Sequence, residues 1–147
     1  MFDKNGRKIL LGDIVRVTGS CVAHYNSLYY VEDAGSTDDE SIILKKLNQN
    51  GTISKSKYGT AFFPLICFIS NRKKSEEIDE YNRKYAKIEV VKDITNRYVI
   101  DLFSKEAHSN REAEKYYMMR DMNRHAEPYR KAAIRLEKAV NRMRKEA

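Results

Sequence analysis

Short apolar runs separated by turn residues fill the first half of the chain, and apolar residues three and four positions apart fill the second. The run Ile14-Val15-Arg16-Val17-Thr18 follows Leu11-Gly12-Asp13, and the next, Leu28-Tyr29-Tyr30-Val31-Glu32, is aromatic and β-branched. Ile42-Ile43-Leu44-Lys45-Lys46-Leu47 leads into Asn50-Gly51, and Thr52-Ile53-Ser54 leaves it. Phe62-Phe63 and the apolar residues 65–69 flank Pro64, which marks an edge strand or a bulge. Asn5-Gly6 and Asn50-Gly51 are hairpin-turn signals, because both residues tolerate left-handed backbone geometry. All six glycines lie at or before Gly59, so strands with turns give way to helices beyond that point. About five short strands at this spacing predict a small antiparallel barrel, with Ile14, Val15, Val17, Leu44 and Phe68 in its core.

The second half reads as helix. Ser75-Glu76-Glu77 makes an N-terminus with a cap and early acids, followed by Ile78, Tyr81, Tyr85 and Ile88 at helical spacing. Ile88-Glu89-Val90-Val91 reads equally as one more strand. Asp93 caps a second helix carrying Ile94, Tyr98, Leu102 and Phe103, and a third starts near Ser109. Glu127-Pro128 interrupts that third helix, since proline disfavours helix in the residue before it. In the last helix Tyr129, Ala133, Leu136, Val140 and Met143 form a heptad seam. The expected architecture is α+β: a barrel over residues 1–72, then a helical region over 73–147.

The opening Asp3-x-Asn5-Gly6-x-x-Ile9-x-x-Gly12-Asp13-Ile14-Val15-x-Val17 resembles the start of many small SH3-like barrels. It is similar to those of YopX-type and other phage-encoded proteins and of KOW-type translation proteins. In such barrels a turn feeds a Gly-Asp corner and then the first strand. The resemblance covers the first half of the chain and implies a fold far more than a function.

Net charge is +7, which points to an anionic partner. The balance is +4 over residues 1–74, −2 over 75–107 and +5 over 108–147. No stretch approaches the roughly 20 apolar residues of a membrane span, and mean hydropathy is −0.69, so no membrane partner is expected. Met1-Phe2-Asp3-Lys4-Asn5-Gly6 lacks the apolar core of a signal peptide, so a cytoplasmic chain with reduced Cys21 and Cys67 is expected.

The chemistry of catalysis is sparse. Cys21-x-x-His24 is half of a zinc spacing, but Cys67, His108 and His125 are scattered, so a buried Cys21 and a surface His24 are expected and no metal. The chain has no nucleophile elbow and no phosphate-cradling glycine loop, and Asp38-Asp39-Glu40 lacks the pattern of a calcium loop. Neither an enzymatic activity nor a cofactor is expected.

Binding is better represented. Ten tyrosines and no tryptophan put Tyr29, Tyr30 and Tyr58 near Arg16, Lys45, Lys55 and Lys57, the mix in which rings stack bases and cations neutralise phosphates. Tyr116, Tyr117, Met118, Met119 and Met122 read first as core packing and second as a partner surface. Two residues along from the apolar seam runs a basic one: Lys131, Arg135, Lys138, Arg142 and Lys145. An offset of two is about 200° around a helix, so the basic ridge lies almost opposite the apolar seam. The leading expectation is a non-enzymatic accessory protein contacting nucleic acid, or an acidic nucleoprotein partner, through that ridge. The alternative is a protein–protein interaction module, a small mobile-element-encoded regulator or inhibitor. In that reading the seam pairs with another helix or with a second copy of the chain.

Overall fold

The computed structural model describes residues 1–34, 41–56, 59–63, 72–92, 94 and 96–146. The expectations for Lys57, Tyr58, Pro64, Cys67, Phe68, Asp93 and the acidic run at 38–40 lie outside those residues.

The chain is α+β and divides into two compact units, Met1–Thr95 and Asn96–Ala147. In the first, β1 (Ile14–Thr18), β2 (Leu28–Asp33), β3 (Ile42–Leu47) and β4 (Thr60–Phe63) form an antiparallel meander. A helix, α1 (Arg72–Tyr85), then returns the chain to β5 (Lys87–Val90), which lies beside β1, so the order is β4-β3-β2-β1-β5. The first unit therefore runs past residue 72. Val15 pairs with Val90 and Val17 with Ile88, so these late residues complete the sheet. Residues 88–90 follow the strand reading of the two the sequence left open. Ser75 lies inside α1 rather than capping it.

One face of the sheet forms the core. Val15, Val17, Tyr29, Val31, Ile42, Leu44, Ala61, Phe63, Ile88 and Val90 cluster there with Ile9, Tyr25 and Ala86. Each large aliphatic chain buried in this way contributes about 1.5–3 kcal/mol. Ile14 is buried as well. Among the described residues no strand follows β5.

The Gly12-Asp13 corner and the N-terminal turn are held by hydrogen bonds from backbone N–H groups. The Gly12 N–H donates to the Val31 carbonyl, and the Asp13 side chain accepts from the Leu10 N–H at 2.8 Å. Asp3 accepts from the N–H groups of Asn5, Arg7 and Val90, and the Lys4 N–H donates to the Ile88 carbonyl. The N-terminal turn is thereby pinned to β5. Both expected Asn-Gly turns form, with Gly6 at φ 79° and Gly51 at φ 86°.

The second unit is a helical hairpin of α2 (Arg97–Met118) and α3 (Asn123–Glu146). The second and third helices expected from the sequence are one helix, α2. Its end is set by chemistry at Asp121 rather than by Pro128. Asp121 takes the left-handed φ of 56°, the Met122 N–H bonds to the Tyr117 carbonyl, and the Asp121 N–H bonds to the Met118 carbonyl. This is a Schellman closure with aspartate where glycine is usual. Pro128 sits inside α3 without ending it. It lacks only the N–H that would have reached back to the Arg124 carbonyl.

Candidate nucleic-acid interface

Within α3 the buried side is Ala126, Ala133, Leu136, Ala139, Val140 and Met143, while α2 buries Val99, Ile100, Phe103 and Ala107. Four of the five seam residues are thus covered within a single chain, and no second copy is needed to bury them. This removes the seam as the expected homodimer contact. The fifth, Tyr129, is 37% exposed.

The opposite side of α3 is basic. Lys131, Arg135, Lys138 and Lys145 are exposed, and Arg142 is half-buried. Arg124, seven residues before Lys131, is exposed and lies on the same line. The sequence reading missed it because the helix was expected to break at Pro128. A continuous α3 carries the ridge from Arg124 to Lys145, about 32 Å at 1.5 Å per residue.

Three acids lie on α3, and the packing determines which cations they meet. Glu137 accepts from Arg111 of α2, with Nη2 at 2.6 Å and Nε at 3.2 Å. Arg111 also meets Glu114, which accepts from Arg130 Nε at 3.0 Å, and Arg130 in turn holds Glu127 at 3.0 Å. The hydrogen bonds from Arg111 to Glu137 and Glu114 hold its guanidinium above its ordinary pKa. This chain of carboxylates and guanidiniums joins the two helices and draws Glu137 away from the ridge. Glu127 also reaches Lys131 at 3.9 Å, and Glu146 meets Arg142 at 3.3 Å. Among the described residues, Arg124, Arg135, Lys138 and Lys145 face no acid.

In the sheet half of the expected site, the two described rings are buried. Tyr29 and Tyr30 are buried at 2% and 5% exposure, because β2 is an inner strand paired on both sides. The Tyr29 hydroxyl donates to the Tyr25 carbonyl at 2.9 Å, and burial, with the neighbouring Tyr25, pushes its pKa up to about 12. Neither ring can stack a base. Lys45 is engaged by Glu32 at 3.6 Å and donates to Thr60. Arg16 and Lys55 are exposed. Cys21 is exposed rather than buried, and its Sγ lies 3.8 Å from the Asn82 Oδ1.

A group of accessible aromatic and methionine side chains lies elsewhere, at the turn between α2 and α3, while Phe2, Tyr81, Tyr85 and Tyr98 are exposed in other parts of the chain. At the turn, Tyr116, Met118, Met119 and Met122 are exposed, so core packing does not describe them. Tyr117 stacks on Tyr129 and on His125, with ring centres 5.6 Å away in each pair and interplanar angles of 15° and 27°. No sequence signal joined Tyr129 to Tyr117, since the pairing depends on where the hairpin turns.

Among the described residues, no group of three His, Cys, Asp or Glu side chains converges on a metal position, and no helix is long and apolar enough to cross a membrane. No family model, curated protein or solved structure matches the chain.

Proposed function

We propose that this protein is a non-enzymatic nucleic-acid-binding accessory protein whose contact surface is the outer face of α3. The supporting observation is the separation of charge within the hairpin. Glu137, the acid closest to the middle of the ridge, is held by Arg111, which leaves Arg135 and Lys138 to solvent. A solvated helix ordinarily mixes signs so that pairs form along its face. Here Glu137 is paired across to α2, and while Lys131 and Arg142 keep partners along the helix, Arg124, Arg135, Lys138 and Lys145 meet no acid among the described residues. A line of cations about 32 Å long suits a phosphate backbone better than it suits one small anion. The sheet unit is read as an SH3-like scaffold, supported by the Gly12-Asp13 corner and by a fifth strand returning beside the first.

The test is a titration of labelled duplex DNA of unrelated sequence at several salt concentrations. The parent should bind with a steep salt dependence. The variant R135Q/K138Q/K145Q should bind more weakly, with a slope of log K on log salt reduced by up to about 0.9 for each lost contact. Equal slopes for parent and variant would sink the proposal.

A further inference from the structure

We propose that the tip of the α2–α3 hairpin is a base-stacking site for single-stranded nucleic acid, so that the ridge serves a substrate with unpaired bases. This rests on the nucleic-acid reading of the ridge and adds the class of strand. Three observations at the tip carry it. The first is the ring stack: the half-buried Tyr117 stacks on His125 and on Tyr129, and those two residues are exposed. A stack whose end members reach solvent can accept another flat ring. The second is Tyr116, 51% exposed, with the Arg120 guanidinium 3.6 Å from its ring centre. An arginine lying on a tyrosine offers a base both a π-face and a cationic plane. The third is charge. Lys115, Arg120 and Arg124 surround these rings, have no acid partner among the described residues, and are opposed only by the exposed Asp121 within residues 115–126. Arg124 belongs to the ridge and is the chain neighbour of His125, so one cation of the phosphate line adjoins a ring of the stack in sequence.

A protein partner would find apolar surface here too, since Met119 is 74% exposed. The alternation of flat rings with unpaired cations favours the nucleic acid, because bases use the rings while phosphates use the charges.

The closing experiment compares two strands with the same phosphates: an oligo(dT) of about 20 nucleotides and an abasic strand of equal length. The full chain should bind the strand with bases more tightly by about tenfold or more, at the same salt slope. Y116A/Y129A should lose most of that preference and keep the slope, whereas Y116F/Y129F should keep both, because the ring does the stacking. The ridge variant should do the reverse, retaining the preference with a shallower slope. Equal binding of both strands by the parent overturns the stacking site and leaves the ridge reading standing, and this comparison needs no variant. Absence of salt-dependent binding to either strand overturns both. A tip that docks a protein instead would show no dependence on bases, which also overturns the proposal.

Discussion

Asp3 and Gly19 show how much of the sheet unit hangs on single residues. Burial raises the Asp3 pKa, but the hydrogen bonds from the Val90, Arg7 and Asn5 N–H groups outweigh it, and the carboxyl stands below its ordinary 3.8. The folded chain therefore holds this proton less tightly than the unfolded one. The stability Asp3 contributes is complete above about pH 4 and is lost as the pH falls through the lowered folded value. D3N turns one acceptor into a donor facing an N–H group and should cost about 1–3 kcal/mol at neutral pH. Urea unfolding at pH 7 and at pH 3 checks this, since the gap between parent and variant should narrow in acid. Gly19 has φ +79°, and a methyl group there would run into the Tyr85 carbonyl. G19A should therefore cost about 2 kcal/mol or more, measured by the same titration.

At the scale of elements, the decisive junction is the turn between α2 and α3. Asp121 bears a left-handed conformation that glycine adopts without a Cβ penalty. D121G relieves about 1–2 kcal/mol of left-handed strain against about 0.4–1 kcal/mol of added unfolded-chain entropy, so it should raise stability slightly in thermal unfolding while leaving binding nearly unchanged. A loss of stability would mean that the Asp121 side chain holds the turn in some other way. The α1 junction is polar instead: the buried Asn82 accepts from the Ser20 hydroxyl at 2.8 Å and from the Cys21 N–H at 3.3 Å. N82A leaves the buried Ser20 hydroxyl without its acceptor and should cost about 1–3 kcal/mol. The heptad spacing that revealed α3 says nothing about either junction, because both depend on partners distant in the chain.

For the whole molecule, the main feature is where the +7 charge is left after the acids have been used. The second unit has 13 basic and 8 acidic residues, yet four of its ion pairs form one network joining α2 and α3, which takes Glu137 from the middle of the ridge. The R135Q/K138Q/K145Q variant should accordingly unfold within about 0.5 kcal/mol of the parent while its binding falls, since none of the three residues meets an acid among those described. Replacing His24 and His108 by glutamine should leave binding unchanged, whereas H125Q shortens the ring stack and should weaken single-strand binding in the same fluorescence titration. Equal effects of all three histidines would argue against a stack at the tip.

Local patterns in the sequence were enough for β1, β2, β3 and the Phe62-Phe63 part of β4, the two Asn-Gly turns, the Gly12-Asp13 corner and the opposition of basic and apolar seams on the last helix. Each of these follows from backbone preference or from spacing within one element. Tertiary structure alone decided that residues 87–90 complete the sheet, that Tyr29 and Tyr30 are core, and that Tyr117 meets Tyr129 and His125. It also decided that Glu137 belongs to Arg111. Burial and ion pairing are relations between segments, and period and propensity carry no information about which segments meet. The ridge was therefore legible as a row of charges, but which of its cations meet an acid was not.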